Sequence, residues 1–427
     1  MRLAAPLLLL LASAPTITIA QANLVPHVLR LSSGKSIELS LPGDFEINVA
    51  AEGMHRVRFF AMSPDQRVFV TDMHDLSDNH LGAIYILNGW NAATHTFAGR
   101  TTYLSGLRNP NNVAFYIDPA THQAWLYTAL TDKLIRYKYN AGDTAPGSAP
   151  EVLATFPAYG LDYKYGGWHL TRTVAFANLH GATRLYVTVG SSCNACNEKE
   201  PIRATLSVMN PDGSNQHILA SGLRNAVDLQ FVPSIDGGAL FATNMGDDHL
   251  GDREPEDTFF ELDSNAHAIA ANTNYGWPTC HFDHGQPRVD PYVATPDPAH
   301  PVKPAPPAGP PPAQFDCSKV PTAYTVFMAH SSPLGMAYFT QGNDALRDGF
   351  LVALHGAGKP RIGTGYRVVR FTPGKRHPEN FILGFLSQAG GKPLVKGRPC
   401  GILETGPDSF LLTDDVNGVI YSIHPRT

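Results

Sequence analysis

The stretch "SFLLTDDVNGVIYSI", Ser409–Ile423, holds two apolar-polar alternating runs around a turn. Alternation with a period of two is the signature of half-buried antiparallel strands, and Asn417-Gly418 is the strongest short-range hairpin signal. The first of these runs recurs: "RVFVTDMHD" from Arg67, "AWLYTALTDKLIRYKY" from Ala124, "RLYVTVGSS" from Arg184, "ALFATNMGD" from Ala239 and "FLVALHGAG" from Phe350. Most starts lie roughly 55–60 residues apart, the blade-scale period of a propeller array. The double-length gap after Ala239 holds a proline-rich stretch. Six phrases imply an all-β, six-bladed β-propeller of four-stranded sheets. The alternative, a pair of β-sandwiches, fits the even spacing less well. A strand over Phe45–Ala51 is expected to pair with the C-terminal blade and close the ring, removing free sheet edges. Abundant glycine (38) and proline (35) and the scarcity of long amphipathic helical periodicity agree.

The chain opens with one cation, Arg2, an apolar run to Leu11 and small residues to Ala20. This is the pattern of a cleaved secretory signal over residues 1–20, so a secreted or periplasmic protein is expected. The apolar run is too short to span a bilayer, and no membrane span is expected. Residues 21–427 then form the propeller, with a proline-rich insertion around 286–314. Charged residues are 16% of the chain, the net charge is −5 and no basic stripe exists, which excludes nucleic acid as a partner. In an oxidising compartment the five cysteines can form two bridges. Cys193 and Cys196 read as a local disulfide. Cys280 and Cys317 flank the proline-rich segment and read as its staple, leaving Cys400 over. No CxxCH haem motif exists.

In a propeller, polar residues at the ends of the phrases converge from distant positions. Those are Gly190, Asn244 to Asp248, His355 and the Arg398 region. His169, in "YGGWHLTRTVAF", stands at a strand entry and is a candidate general base, because its ordinary pKa lies near working pH. Arg172 is placed to orient an anion or pair with a carboxylate. In "GLRNA", Arg224 and Asn225 follow a glycine, where an arginine can grip a carboxylate. The following loop, "NMGDDHLGDREPED", carries six carboxylates. Its glycine and aspartates suit a hard cation, though without EF-hand spacing. A base, several cations and an oxygen-rich loop together are what a polyanionic cofactor bound with calcium requires.

The segments "GGWHLTR", "RLYVTVGSSCN", "MNPDGSNQHILASGLRN", "TNMGDDHLGD", "NYGWPTC", "AHSSPLGMAYF", "FLVALHG", "GYRVVRF" and "LLTDDVNGVIYSI", in that order, resemble the soluble quinoprotein sugar dehydrogenases. The L-sorbosone and pyranose dehydrogenase-like branch is the most similar, over roughly Leu41 to Ile423. The resemblance implies a six-bladed propeller that binds pyrroloquinoline quinone (PQQ) and calcium. It oxidises an aldose, pyranose or sorbosone-type sugar by hydride transfer to PQQ. His169 matches the base that takes the sugar's hydroxyl proton. Arg224 matches the cation beside the quinone carbonyl, and Asn225 a cofactor contact. The backbone carbonyls of Gly246 and Asp247 match the calcium ligands. His355 stands where the glucose enzymes have lysine. Arg398 matches the first of two arginines that hold the PQQ carboxylates; the second falls at Cys400, and the aspartate that often follows is Gly401. Asn111 and Asn112 lie where a sugar-contacting loop is expected. Partners implied are a small sugar and an external electron acceptor, quinone or cytochrome; proteins of this kind are often homodimers. The competing readings are a metal-dependent lactonase-type propeller and a non-catalytic sugar-binding propeller.

Overall fold

A computed structural model describes residues 23–158, 169–291 and 315–426. The signal segment and most of the proline-rich insertion lie outside the described residues. Six blades of four antiparallel strands surround one axis, and blade 3 gains a short fifth strand, Thr273–Asn274, paired in parallel with His217–Ser221. Their innermost strands are Val57–Met62, Val113–Ile117, Arg172–Leu179, Ala226–Val232, Pro333–Phe339 and Pro399–Gly406. Each touches the innermost strand of the next blade, and the last touches the first, so the ring is closed. Phe45–Ala51 pairs with Val419–Pro425 as the outer strand of blade 6, as expected. The two termini thus share one sheet. A further hairpin, Leu24–Arg30 with Ser36–Pro42, buries Ile37, Leu39 and Leu41 against blades 5 and 6. Both expected disulfides form, Cys193–Cys196 and Cys280–Cys317, and Cys400 is a buried thiol.

The recurring phrases are the second strands of the blades, not the innermost ones. A second strand is paired on both edges and packed on both faces, so Val68–Asp72, Ala239–Asn244 and Gly349–Leu354 are buried at every residue. This makes them the clearest apolar runs in the chain. The innermost strands carry polar residues toward the axis, among them Arg58, Thr173 and Asp228, which breaks their pattern. Because the two strands are antiparallel, residues after a second strand and before an innermost strand lie on the same face of the ring. The convergence therefore holds.

The threonine near the end of most phrases has a physical reason. Thr71 Oγ1 donates to Asn111 O of blade 2, Thr188 to Ala226 O of blade 4, Thr243 to Leu334 O of blade 5 and Thr413 to Arg58 O of blade 1. Each hydroxyl ties its blade to the innermost strand of the next. Thr413 Oγ1 also accepts from Gly401 N at 2.6 Å. Thr413→Val keeps the shape and leaves two buried backbone groups without this partner. A loss of about 1–3 kcal/mol is expected in denaturant unfolding, and an unchanged midpoint would contradict the ratchet.

Candidate active site

On the face defined above, blades 3 and 4 contribute the first half of the site. His169 adopts a left-handed backbone, φ 45°, just before the innermost strand of blade 3. Its Nδ1 lies 2.8 Å from Ser191 Oγ and 3.2 Å from Ser191 O. Ser191 Oγ donates onward to Cys193 O, and a carbonyl can only accept. Nδ1 therefore carries the proton, and Nε2 is the basic nitrogen of the ring. Burial holds the imidazole well below its ordinary pKa, and the Arg224 charge lowers it further. Gly190 sits between His169 and Asn225: a Cβ there would fall 2.6 Å from both His169 Cβ and Asn225 Oδ1. Glycine keeps open the space these two side chains face.

Arg224 is buried and held from several sides. Nε donates to Asn194 O at 2.8 Å, Nη2 to Asn194 Oδ1 at 2.7 Å and Nη1 to Gly246 O at 2.6 Å; Asp248 Oδ2 is 3.3 Å from Nη2. Asn194 belongs to the loop closed by Cys193–Cys196, and Trp277 Nε1 also donates to its carbonyl. The small disulfide loop thus positions both the base, through Ser191 and Cys193, and the cation, through Asn194. Asn225 has its N–H on Asn244 Oδ1. Its own Oδ1 is buried without a hydrogen bond, an acceptor a ligand donor would satisfy.

Blades 5, 6 and 1 form the second half around Asp415. Its Oδ2 lies 2.8 Å from Arg56 Nη1 and 3.1 Å from Arg58 Nη1, and its Oδ1 is 2.9 Å from His355 Nε2. His355 and the two arginines hold its carboxyl well below the usual carboxylate range, against the cost of burial. His355 itself is pushed down by burial, so it stands neutral with Nε2–H donating. Arg398 donates to the carbonyls of Gly356 and Ala357 and to Tyr366 Oη, and its guanidinium lies 4.7 Å from the Tyr366 ring centroid. Among the described residues it forms no ion pair. Asp257 joins the two halves: Oδ1 accepts from Gly246 N at 2.8 Å and Oδ2 from Ser332 N at 2.7 Å, while His355 N donates to Ser332 O.

All seven residues singled out in the sequence thus meet on one face. His169, Arg224, Asn225, Gly246 and Asp247 form one half; His355 and Arg398 belong to the other. Three other readings are corrected. Arg172 is buried and donates to the carbonyls of His169, Thr171 and Pro157; it shapes the strand entry and, among the described residues, pairs with no carboxylate. Asn111 and Asn112 are buried joints, not a sugar loop: Asn111 Nδ2 donates to Thr173 Oγ1 and Asn112 Nδ2 to Val174 O, stitching blade 2 to blade 3. Cys400 faces an apolar plug on the axis with Phe59, Val227 and Leu334. An arginine there would enter the plug, and a Cβ at Gly401 would strike Arg58 O. The positive charge on this side comes instead from Arg56 and Arg58, which sequence reading missed. Their alternation in "RVR" is the only local signal.

The fold and this site define a six-bladed propeller, one face of which combines a neutral base, clustered guanidinium groups and an oxygen-rich loop. The chain belongs to the TrAA12-like family, whose profile matches residues 40–380. No curated protein matches the sequence. Solved structures of similar fold include the holo PQQ domain of pyranose dehydrogenase from Coprinopsis cinerea, with TM-score 0.65, 15% identity, and 91% of this chain and 97% of that one covered. A calcium structure of a Trichoderma reesei carbohydrate-active enzyme of family AA12 has TM-score 0.65 and 13% identity, with 96% and 99% covered. The apo soluble aldose sugar dehydrogenase of Escherichia coli has TM-score 0.55 and 11% identity, with 90% and 100% covered. Among the described residues no helix is long and apolar enough to cross a membrane.

Proposed function

We propose that this chain is an exported quinoprotein oxidoreductase that oxidises a sugar at its anomeric or aldehyde carbon and passes electrons to an external acceptor. The observation that carries the reading is the His169 tautomer, with a basic Nε2 on the same face as the buried Arg224 guanidinium, whose charge the ring feels. The residues fit an anionic, hydrogen-bonding cofactor. Arg56, Arg58 and Arg398 outnumber the single strongly acidic partner, Asp415, and Asn225 Oδ1 awaits a donor. Calcium would sit at the Gly246 and Asp247 carbonyls; Gly246 O already accepts from Arg224 and keeps one lone pair. PQQ, when bound, supplies the two-electron acceptor for the substrate's hydride.

His169 Nε2 takes the proton of the sugar hydroxyl. Ser191 fixes the ring so that this nitrogen stays basic. Arg224 places a buried positive charge where negative charge develops, an effect worth several kcal/mol when preorganised. Phe59, Val227, Leu334 and Cys400 pack together as a buried apolar plug.

A base acts when unprotonated, so kcat/KM rises with pH through the His169 pKa and then stays level. Because burial and Arg224 both favour the neutral ring, the acid limb lies well below 6.5. Arg224→Met moves that limb upward and lowers kcat; a pH–rate profile of both proteins checks this. The proposal as a whole is tested by dye-linked oxidation assays with aldoses, ketoaldoses and pyranosones, using protein reconstituted with PQQ and calcium. Dye reduction that needs both additions is expected. No reduction with any of them, or lactone hydrolysis without PQQ, would overturn it.

A further inference from the structure

Beyond the pocket, ionisable side chains gather at one more buried place. His249 lies between two carboxylates: Nδ1 is 3.4 Å from Asp247 Oδ1 and Nε2 is 2.8 Å from Asp290 Oδ2. Taking one donor atom from each residue, the three lie within 4.8 Å of one another. Asp290 is fully buried and Asp247 is 3% exposed. Asp247 Oδ1, facing His249, makes no hydrogen bond. His281 stands beside them, buried, its Nδ1 also without a hydrogen bond, and its ring feels the charges of both Asp290 and His249.

We propose that Asp247, His249 and Asp290 form a site for a divalent transition-metal ion of the zinc or manganese class, with solvent completing its coordination. An imidazole nitrogen combined with two carboxylates suits such an ion, whereas calcium takes oxygen ligands. Two cis donors on an ion held at about 2.0–2.1 Å are roughly 3 Å apart, close to the 2.8 Å between His249 Nε2 and Asp290 Oδ2; the Asp247 carboxylate, which faces Nδ1, turns toward the same ion. The ion would use the Asp247 side chain, not the carbonyl assigned to calcium. It would tie the loop after Ala239–Asn244 to the hairpin Cys280–Asp283 and Gln286–Val289, just before Asp290. Asp290 N is already anchored on Thr279 O, and Cys280 is stapled to Cys317. The ion thus braces the loop that carries Gly246 against Arg224. The proposal needs neither quinone nor sugar and stands apart from the catalytic reading.

The test is a Co2+ titration of the chelator-stripped full chain in excess calcium, without PQQ. One Co2+ per chain is expected, with imidazole nitrogen coupling in pulsed electron paramagnetic resonance and a raised melting temperature. His249→Gln and Asp290→Asn should weaken binding by at least about 100-fold. His267→Gln, in the exposed Asp236–Glu261–His267 cluster, should leave it unchanged. No binding, oxygen-only coordination, or a signal that vanishes with His267→Gln would overturn the proposal, and His249 would then be an imidazolium clamp. Should the buried variants fail to fold, the nitrogen coupling in the wild type and the His267→Gln control still decide.

Discussion

His169→Ala lowers kcat of the reconstituted protein by about 10²–10⁴-fold, the range for a lost general base, while the sugar KM changes little. The expectation follows from the tautomer. Ser191 O, which can only accept, takes the Nδ1 proton, so the opposite nitrogen is the basic one, and burial with the Arg224 charge keeps it unprotonated to well below the ordinary imidazole value. Alanine removes the base without disturbing Arg224, whose contacts run to Asn194, Gly246 and Asp248. PQQ affinity should therefore be retained. Steady-state kinetics with a dye acceptor, paired with a PQQ binding isotherm, separate the two effects. A kcat within tenfold of wild type would remove His169 from the chemistry.

Asp415→Asn is expected to destabilise the protein by about 3–5 kcal/mol at neutral pH, the cost of stripping a buried charge from its partners. Asp415 is fully buried and faces Arg56, Arg58 and His355, so the amide leaves two guanidinium groups without their counter-charge. The sign of the pH dependence follows. The folded-state pKa of Asp415 is depressed, so its contribution is fully present above the ordinary aspartate value of about 3.9 and is lost as pH falls through the lower folded value. The gap between wild type and variant should thus be widest near neutrality and narrow below pH ~4. Melting curves across pH test this, and a gap independent of pH would contradict it.

The propeller was legible because its second strands are buried on both faces and so read as clean apolar runs, each ending in the residue that ties it to the next blade. Thr71, Thr188, Thr243 and Thr413 make the phrase recur; blade 5 has Ala353 at this place and keeps the pattern by apolarity alone. The strand at Phe45–Ala51 and both disulfides followed from ring closure and cysteine count. Half of the site was legible too, since His169, Arg224 and the acidic loop lie within one pair of neighbouring blades. The second half was legible only in part, through His355 and Arg398. Arg56 and Arg58 meet Asp415 only because the ring closes across more than 350 residues, and nothing local to "HRVRFF" marks them. Cys400 read as a lost arginine because sequence order gives no direction to a side chain; the structure turns it into the plug. Asn111 and Asn112 stand where the resemblance implied a sugar-contacting loop, but here their amides satisfy a buried seam between blades.

The most direct test of the central claim is an absorbance titration of the calcium-loaded full chain with PQQ, followed by addition of an aldose. The account predicts saturable binding at one PQQ per chain and bleaching of the oxidised quinone spectrum by the sugar, with the bleaching slowed in His169→Ala. A folded protein that takes up no PQQ, or that binds it and shows no spectral change with any aldose, ketoaldose or pyranosone, would contradict it.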